Sequence, residues 1–282
     1  MNNTDPRKTT QGIRILLYIA SFLVLSVGVS LFLFSEMTDV YFSWTINPPL
    51  TAAFLGAGYL ASFLLEFISA REKIWAKARP AVPGVWAFTF LTLIVTLIHW
   101  ERFHFDNPVW ITRAGTWVWL GIYISVPIAM GIFWAIQTRQ PGGDPPRKAP
   151  LPSLIRLTLI LQGAIMFFFG GAMLLLPEMT LPLWPWKLSA LTSQAIGAWG
   201  VGIGVIVLHA SWENDWERLF PMMVSYAVYG ILQTMNLLRY PATLDWTRFS
   251  AGAYAIFVFS VLLAGVFGAR KTWQVKNGRV SN

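Results

Sequence analysis

Apolar residues run along this chain in long blocks, with polar residues collected between them. Eight blocks, 13–34, 50–69, 85–100, 116–136, 154–176, 192–209, 221–238 and 250–268, are long enough or nearly so to cross a bilayer. A hydrocarbon core is about 30 Å thick and takes about 20 helical residues. The period-two alternation of a barrel strand is missing from the blocks. A helix satisfies its own backbone groups in lipid, so apolar runs of this length predict helices. The pattern therefore predicts an all-α, polytopic transmembrane helix bundle of eight spans. The first run follows Arg7, Lys8 and Arg14, as a secretory signal would. It is too long for one, and no small-residue cleavage site follows at Ser35, Glu36 and Met37, so it is expected to be an uncleaved anchor.

Composition agrees with that reading. Of 282 residues, 55% are hydrophobic and 12% charged. Soluble domains carry about 25% charged residues. Too few are present here to coat a water-facing surface, which excludes a soluble domain, a disordered chain and a fibre. Cysteine is absent, which excludes disulfides, thiolate zinc sites, Cys-ligated iron–sulfur clusters and covalently attached haem.

The net charge of +8 is explained by topology and calls for no nucleic-acid partner. Sixteen of the 21 Lys and Arg residues fall at the two ends and in the loops after the second, fourth and sixth spans. The other side holds Arg102, Arg113, Lys187, Arg239 and Arg248. The positive-inside rule then puts both termini in the cytoplasm, with a prokaryotic plasma membrane assumed.

The Pro/Gly-rich segment 140–153 lies at mid-chain and suggests a duplication. At an offset of 142, Arg14 meets Arg156, Gly28 meets Gly170, Glu36 meets Glu178, Trp44 meets Trp186 and Gly58 meets Gly200. At 138, Pro83 meets Pro221 and Thr96 meets Thr234; at 135, Thr112 and Arg113 meet Thr247 and Arg248. The offset only shrinks, as loop deletions would produce. The expected organisation is a four-helix repeat over 1–139, a cytoplasmic linker over 140–153, a second repeat over 154–269 and a basic tail over 270–282. An even number of spans per unit makes the repeats parallel, related by a pseudo-twofold along the membrane normal. Four-helix units of this size occur in several membrane families, the DoxX-like proteins among them; the likeness is of size and implies no activity. Span six carries Gly197, Gly200, Gly202 and Gly204, and span two carries Ala53, Ala57, Gly58 and Ala61. Such stripes let helices approach closely. They mark either ordinary packing or a meeting of spans two and six on the axis.

Candidate chemistry is sparse. There is no GxSxG, HExxH, Walker loop or GxGxxG. Glu66 and His209 lie at matching ends of spans two and six, as snorkelling side chains or as a polar pair able to hold a proton. His99, His104 and His209 sit at different depths, which disfavours a bis-His haem; no cofactor or metal is expected. The outer loops are rich in Trp, including Trp44, Trp100, Trp110, Trp184, Trp186 and Trp246. An aromatic belt accounts for most of them. The recurrence of Glu36 with Glu178 and of Arg113 with Arg248 suggests either loop latches or the rim of an outer pocket. With Trp44, Trp186, His99 and Asn236, these residues form the candidate ligand-binding set. The leading reading is a non-catalytic bundle that binds a lipophilic ligand or a membrane-protein partner near its outer face. A small-solute transporter or channel, or a lipid-modifying enzyme using His99, Glu101 or His104, are the alternatives.

Overall fold

The computed structural model describes residues 5–278; Arg279 of the expected basic tail lies outside them. Among the described residues are eight long helices: α1 (Gln11–Leu33), α2 (Pro49–Arg71), α3 (Ala81–Ile98), α4 (Trp110–Thr138), α5 (Ser153–Leu175), α6 (Ala190–Glu213), α7 (Phe220–Arg239) and α8 (Phe249–Lys276). Seven of them are long and apolar enough to cross a membrane. The chain thus has the architecture of a multipass membrane protein. The exception is α7. Ser225, Gln233, Thr234 and Asn236 lower its hydropathy, and three of these are buried in the bundle. Ser225 donates to the Ala61 carbonyl at 2.7 Å and Gln233 to the Phe54 carbonyl at 3.1 Å, so the polar stripe of α7 is turned against α2.

Several helices outrun their apolar blocks. α3 begins at Ala81 with Pro83 in its first turn, where a missing N–H costs nothing. α6 continues past His209 to Glu213 and stops at Asn214, whose φ of 47° is left-handed. Its start is capped by the Ser189 side chain, which accepts from Thr192 N at 3.2 Å. α8 extends to Lys276, taking in the first half of the basic tail.

α1 packs along α2, α5 along α6, α3 along α4 and α7 along α8. Across the mid-chain linker, α3 lies on α6 and α7 lies on α2. The glycine stripe of α6 faces α5 and α3, not α2. A Cβ on Gly200 would stand 3.0 Å from Gly170 Cα, and one on Gly202 would stand 2.8 Å from Phe88 Cβ. α2 and α6 instead meet through Trp199, whose ring stands edge-on to Tyr59 at 4.8 Å and covers Gly58.

One end of the bundle gathers both ends of the described chain. Arg7 N donates to Gly143 O at 2.8 Å, Trp75 N to Arg7 O at 2.9 Å and Trp216 N to Ala149 O at 2.8 Å. Lys276 reaches Glu72 at 3.2 Å. The Pro/Gly-rich linker is therefore laid across the bundle end in an extended, hydrogen-bonded path.

Close backbone contact at Gly170 makes a directional prediction. A Cβ there would meet Val201 N at 2.8 Å, whereas Gly171 has nothing within 4 Å. Gly170→Val should destabilise the detergent-solubilised protein by about 1–3 kcal/mol, the usual cost of overpacking. Gly171→Val should leave it near wild type. Thermal unfolding of the two variants in one detergent checks this.

Candidate functional site

Two regions concentrate features beyond packing. The first is a charge network at the linker end. Glu213 is fully buried at the end of α6. It accepts from Arg79 Nε at 2.6 Å and from Arg218 Nη1 at 2.6 Å, with His209 Nε2 at 3.4 Å. Asp144 of the linker pairs with Arg79 at 2.8 Å, and Asp215 lies 3.7 Å from Arg218. Five charged groups from the α2–α3 loop, the linker, α6 and the loop after it thus pair around the buried Glu213, with Asp144 at the exposed edge. Buried charges are tolerated only when paired and hydrogen-bonded in this way.

The second region is a cavity of about 640 Å³ walled by α5, α6, α7 and α8, with Phe54 of α2 at its back. Its volume is that of a site for a drug-sized ligand. Its wall is almost wholly apolar: Met166, Phe169, Trp184, Ile203, Ala253 and Phe257 supply much of it. Polar groups are few. Gln233 lines it, with Oε1 accepting from Asn236 at 3.2 Å and from Tyr254 at 3.5 Å. Arg248 stands at its end away from the linker and donates to the Pro182 carbonyl. Nearby Asp245 accepts from Thr247 Oγ1 at 2.6 Å and Thr247 N at 3.1 Å; these bonds, with Arg248 adding to them, hold its carboxyl below the usual carboxylate range. α5 and α8 touch only sparsely. Two lining residues at that seam, Ile165 and Phe249, are 53% and 90% exposed, so the cavity opens sideways.

The corresponding space among α1–α4 is filled. Trp44 packs on Phe42 at 4.7 Å, Phe103 at 5.2 Å and Trp119 at 5.2 Å. What remains is a crevice of about 40 Å³, on which Glu66 borders with no partner for its Oε2. On the other side, Trp186 packs on Trp184 at 5.0 Å and Tyr254 at 5.2 Å. There the shorter loop between α7 and α8 buries only Leu244, where the α3–α4 loop buries Phe103 and Phe105.

The sequence-predicted residues divide accordingly. Arg248 lines the cavity, and Trp186 and Asn236 lie one layer behind its wall, Trp186 donating to Thr51 Oγ1 at 2.8 Å. Trp44 is in the filled cluster. His99 contacts Gln194 Oε1 at 2.5 Å, tying α3 to α6. Arg113 is exposed and donates to Asn107 O at 3.3 Å. Glu36 and Glu178 are exposed and form no ion pair with either arginine. Glu66 and His209 are not in contact; His209 faces Glu213. No group of three or more His, Asp or Glu able to hold a metal occurs among the described residues.

Sequence reading missed Arg79, Asp144, Glu213 and Arg218. A signal for the last of these was present: Trp75-x-Lys77-x-x-Pro80 recurs as Trp216-x-Arg218-x-x-Pro221 at an offset of 141. Both tryptophans are buried, each donating its backbone N–H to the extended segment beside it. Compared with protein-family models, curated proteins and solved structures, the chain matches none.

Removing the central anion should be costly. Glu213→Gln removes the buried carboxylate that both guanidiniums share, leaving them Asp144 and Asp215, and should destabilise the protein by about 3 kcal/mol, the low end for breaking a buried pair. Exposed Glu36→Gln should stay within about 0.5 kcal/mol of wild type. Thermal or denaturant unfolding in detergent compares them.

Proposed function

We propose that this chain is an eight-span integral membrane protein built as two parallel four-helix repeats, with both ends cytoplasmic, and that it binds a lipophilic ligand in the α5–α8 cavity without transforming it. The observation that carries the binding reading is the cavity itself: an apolar space of about 640 Å³ opening sideways between two helices that face lipid. Its lining supplies walls and not reactants. Arg248 is the only charged side chain on it, and its hydroxyls, from Tyr229, Ser250 and Tyr254, have no carboxylate or imidazole beside them on the lining.

The repeat reading draws support from contacts that recur at the expected offsets. Arg14 Nε donates to Ala70 O at 2.9 Å, and Arg156 Nε to Ser211 O at 3.1 Å. Trp75 N donates to Arg7 O, and Trp216 N to Ala149 O. Helices α3 and α7 exchange places, each packing on the second helix of the other unit. The orientation rests on the excess of Lys and Arg at the linker end. α7 serves as the eighth span because its polar stripe is satisfied inside the bundle.

Two experiments test this. The chain has no cysteine, so single cysteines report topology without background. Pro146→Cys should react with an impermeant maleimide only from the cytoplasmic side, and Thr45→Cys only from outside; the same side for both overturns the topology. For the ligand, organic extraction of protein purified in mild detergent should yield a lipophile near one per chain. Ala253→Phe, which fills the cavity, should lower that yield about tenfold or more, a loss of about 1.4 kcal/mol or more in binding, with thermal stability kept. An unchanged yield overturns the site.

A further inference from the structure

The cavity is charged at one end only. Arg248, its sole charged lining residue, stands at the start of α8, and from there the wall follows α8 to Val261. Those thirteen residues span about 20 Å at 1.5 Å per residue, more than half of a hydrocarbon core of about 30 Å. Arg248 is exposed and is in no ion pair among the described residues. Of its guanidinium donors, Nη2 is engaged, by the Pro182 carbonyl. The nearby acid, Asp245, bonds Thr247 through Oδ1 and stands beyond ion-pair distance of the guanidinium, acting on Arg248 only through space. A guanidinium with spare donors at a helix start favours an anion, and phosphate or carboxylate fits its fork. Apart from Gln233 and the hydroxyls of Tyr229, Ser250 and Tyr254, the rest of the lining offers a hydrocarbon chain apolar contact.

We propose that the ligand is a membrane lipid with an anionic head, its phosphate or carboxylate on Arg248 at the outer edge and one hydrocarbon chain lying along α8 inside the cavity. The proposal rests on the reading of this cavity as a ligand site and adds the class of ligand and its direction. The chain enters between α5 and α8, where Ile165 and Phe249 form an apolar, exposed lip. Arg113, which recurs with Arg248 in the sequence, has no such role: it borders neither the cavity nor the crevice among α1–α4, and it donates to Asn107 O at 3.3 Å.

The test offers the delipidated full chain, in mild detergent, equal amounts of phosphatidylglycerol and phosphatidylcholine with identical acyl chains. Native mass spectrometry reads the single lipid that survives desolvation. Phosphatidylglycerol should be retained about tenfold over phosphatidylcholine, whose choline cation offsets the same phosphate and is repelled by Arg248. Arg248→Gln should bring the ratio to about parity without lowering total bound lipid, and Arg113→Gln should leave it unchanged. Parity in the wild type, or a preference that survives Arg248→Gln, overturns the anionic-head assignment while leaving the cavity a lipid site. Displacement of phosphatidylglycerol by millimolar inorganic phosphate also overturns it, assigning the arginine to a soluble anion. If Ala253→Phe holds as much lipid as the wild type, the cavity reading itself fails.

Discussion

Hydrocarbon gives helices no reason to bury apolar faces against one another, so this bundle depends on how closely its helices approach and on polar side chains that have nowhere else to bond. Gly170 and Gly200 bring α5 and α6 to backbone contact. Tyr226 donates to Gln162 at 3.0 Å, and Gln162 passes a bond on to Ser260 at 3.0 Å, joining α7, α5 and α8. Tyr59 and Tyr123 share a 2.6 Å bond between α2 and α4. Such bonds are worth about 0.6 kcal/mol each on average in a membrane, so none dominates, yet together they decide which face of a helix turns inward. The helix of lowest hydropathy, α7, is for that reason an inner one.

The same constraint explains what was legible in the sequence. Each of the eight apolar blocks is a helix, because length and hydropathy answer directly to the solvent. The ends are less legible. α4 starts at Trp110, well before its block at 116, and α8 runs past 268 to Lys276. At headgroup depth a helix no longer needs apolar residues, so hydropathy stops marking it. Small-residue stripes were visible, but not their partners: Gly200 and Gly204 serve the neighbouring α5, while Trp199 meets α2. Recurrence of Glu36 with Glu178 and of Arg113 with Arg248 is a matter of spacing along the chain and brings neither glutamate into an ion pair with either arginine. The cavity was invisible because a void is defined by side chains that fail to fill it, and only packing in three dimensions reveals that failure.

Under the proposed duplication, the contrast between the halves is one architecture filled in two ways. At the end away from the linker each half sets a tryptophan from its first loop against an aromatic residue of its last helix, Trp44 on Trp119 and Trp186 on Tyr254, both at 5.2 Å. In the first half a longer loop adds Phe103 and Phe105 to that cluster, and the space below closes. In the second half the shorter loop adds only Leu244, and the proposed site stays open. Under the proposed duplication, the first half acts as the packed reference, and the second has exchanged packing for room.

That exchange has a cost, which the opposite end of the molecule is built to bear. Unfilled volume forfeits dispersion contacts along its whole lining, so a half with a large cavity is the half that needs external support. The linker end supplies it. Asp144, Glu213, Asp215 and Arg218 belong to the linker and to α6 and the loop after it, and Arg79 brings the first half into the same network. The backbone of the linker adds bonds from Trp216 N and to Asn214 Oδ1 at 3.2 Å. Glu213, Asp215 and Arg218 are buried and paired, and Arg79 reaches Glu213 from the first half, so moving one half against the other would leave a buried carboxylate short of a partner. The second half is thereby fixed to the first at one end, while α5 and α8 touch each other only sparsely.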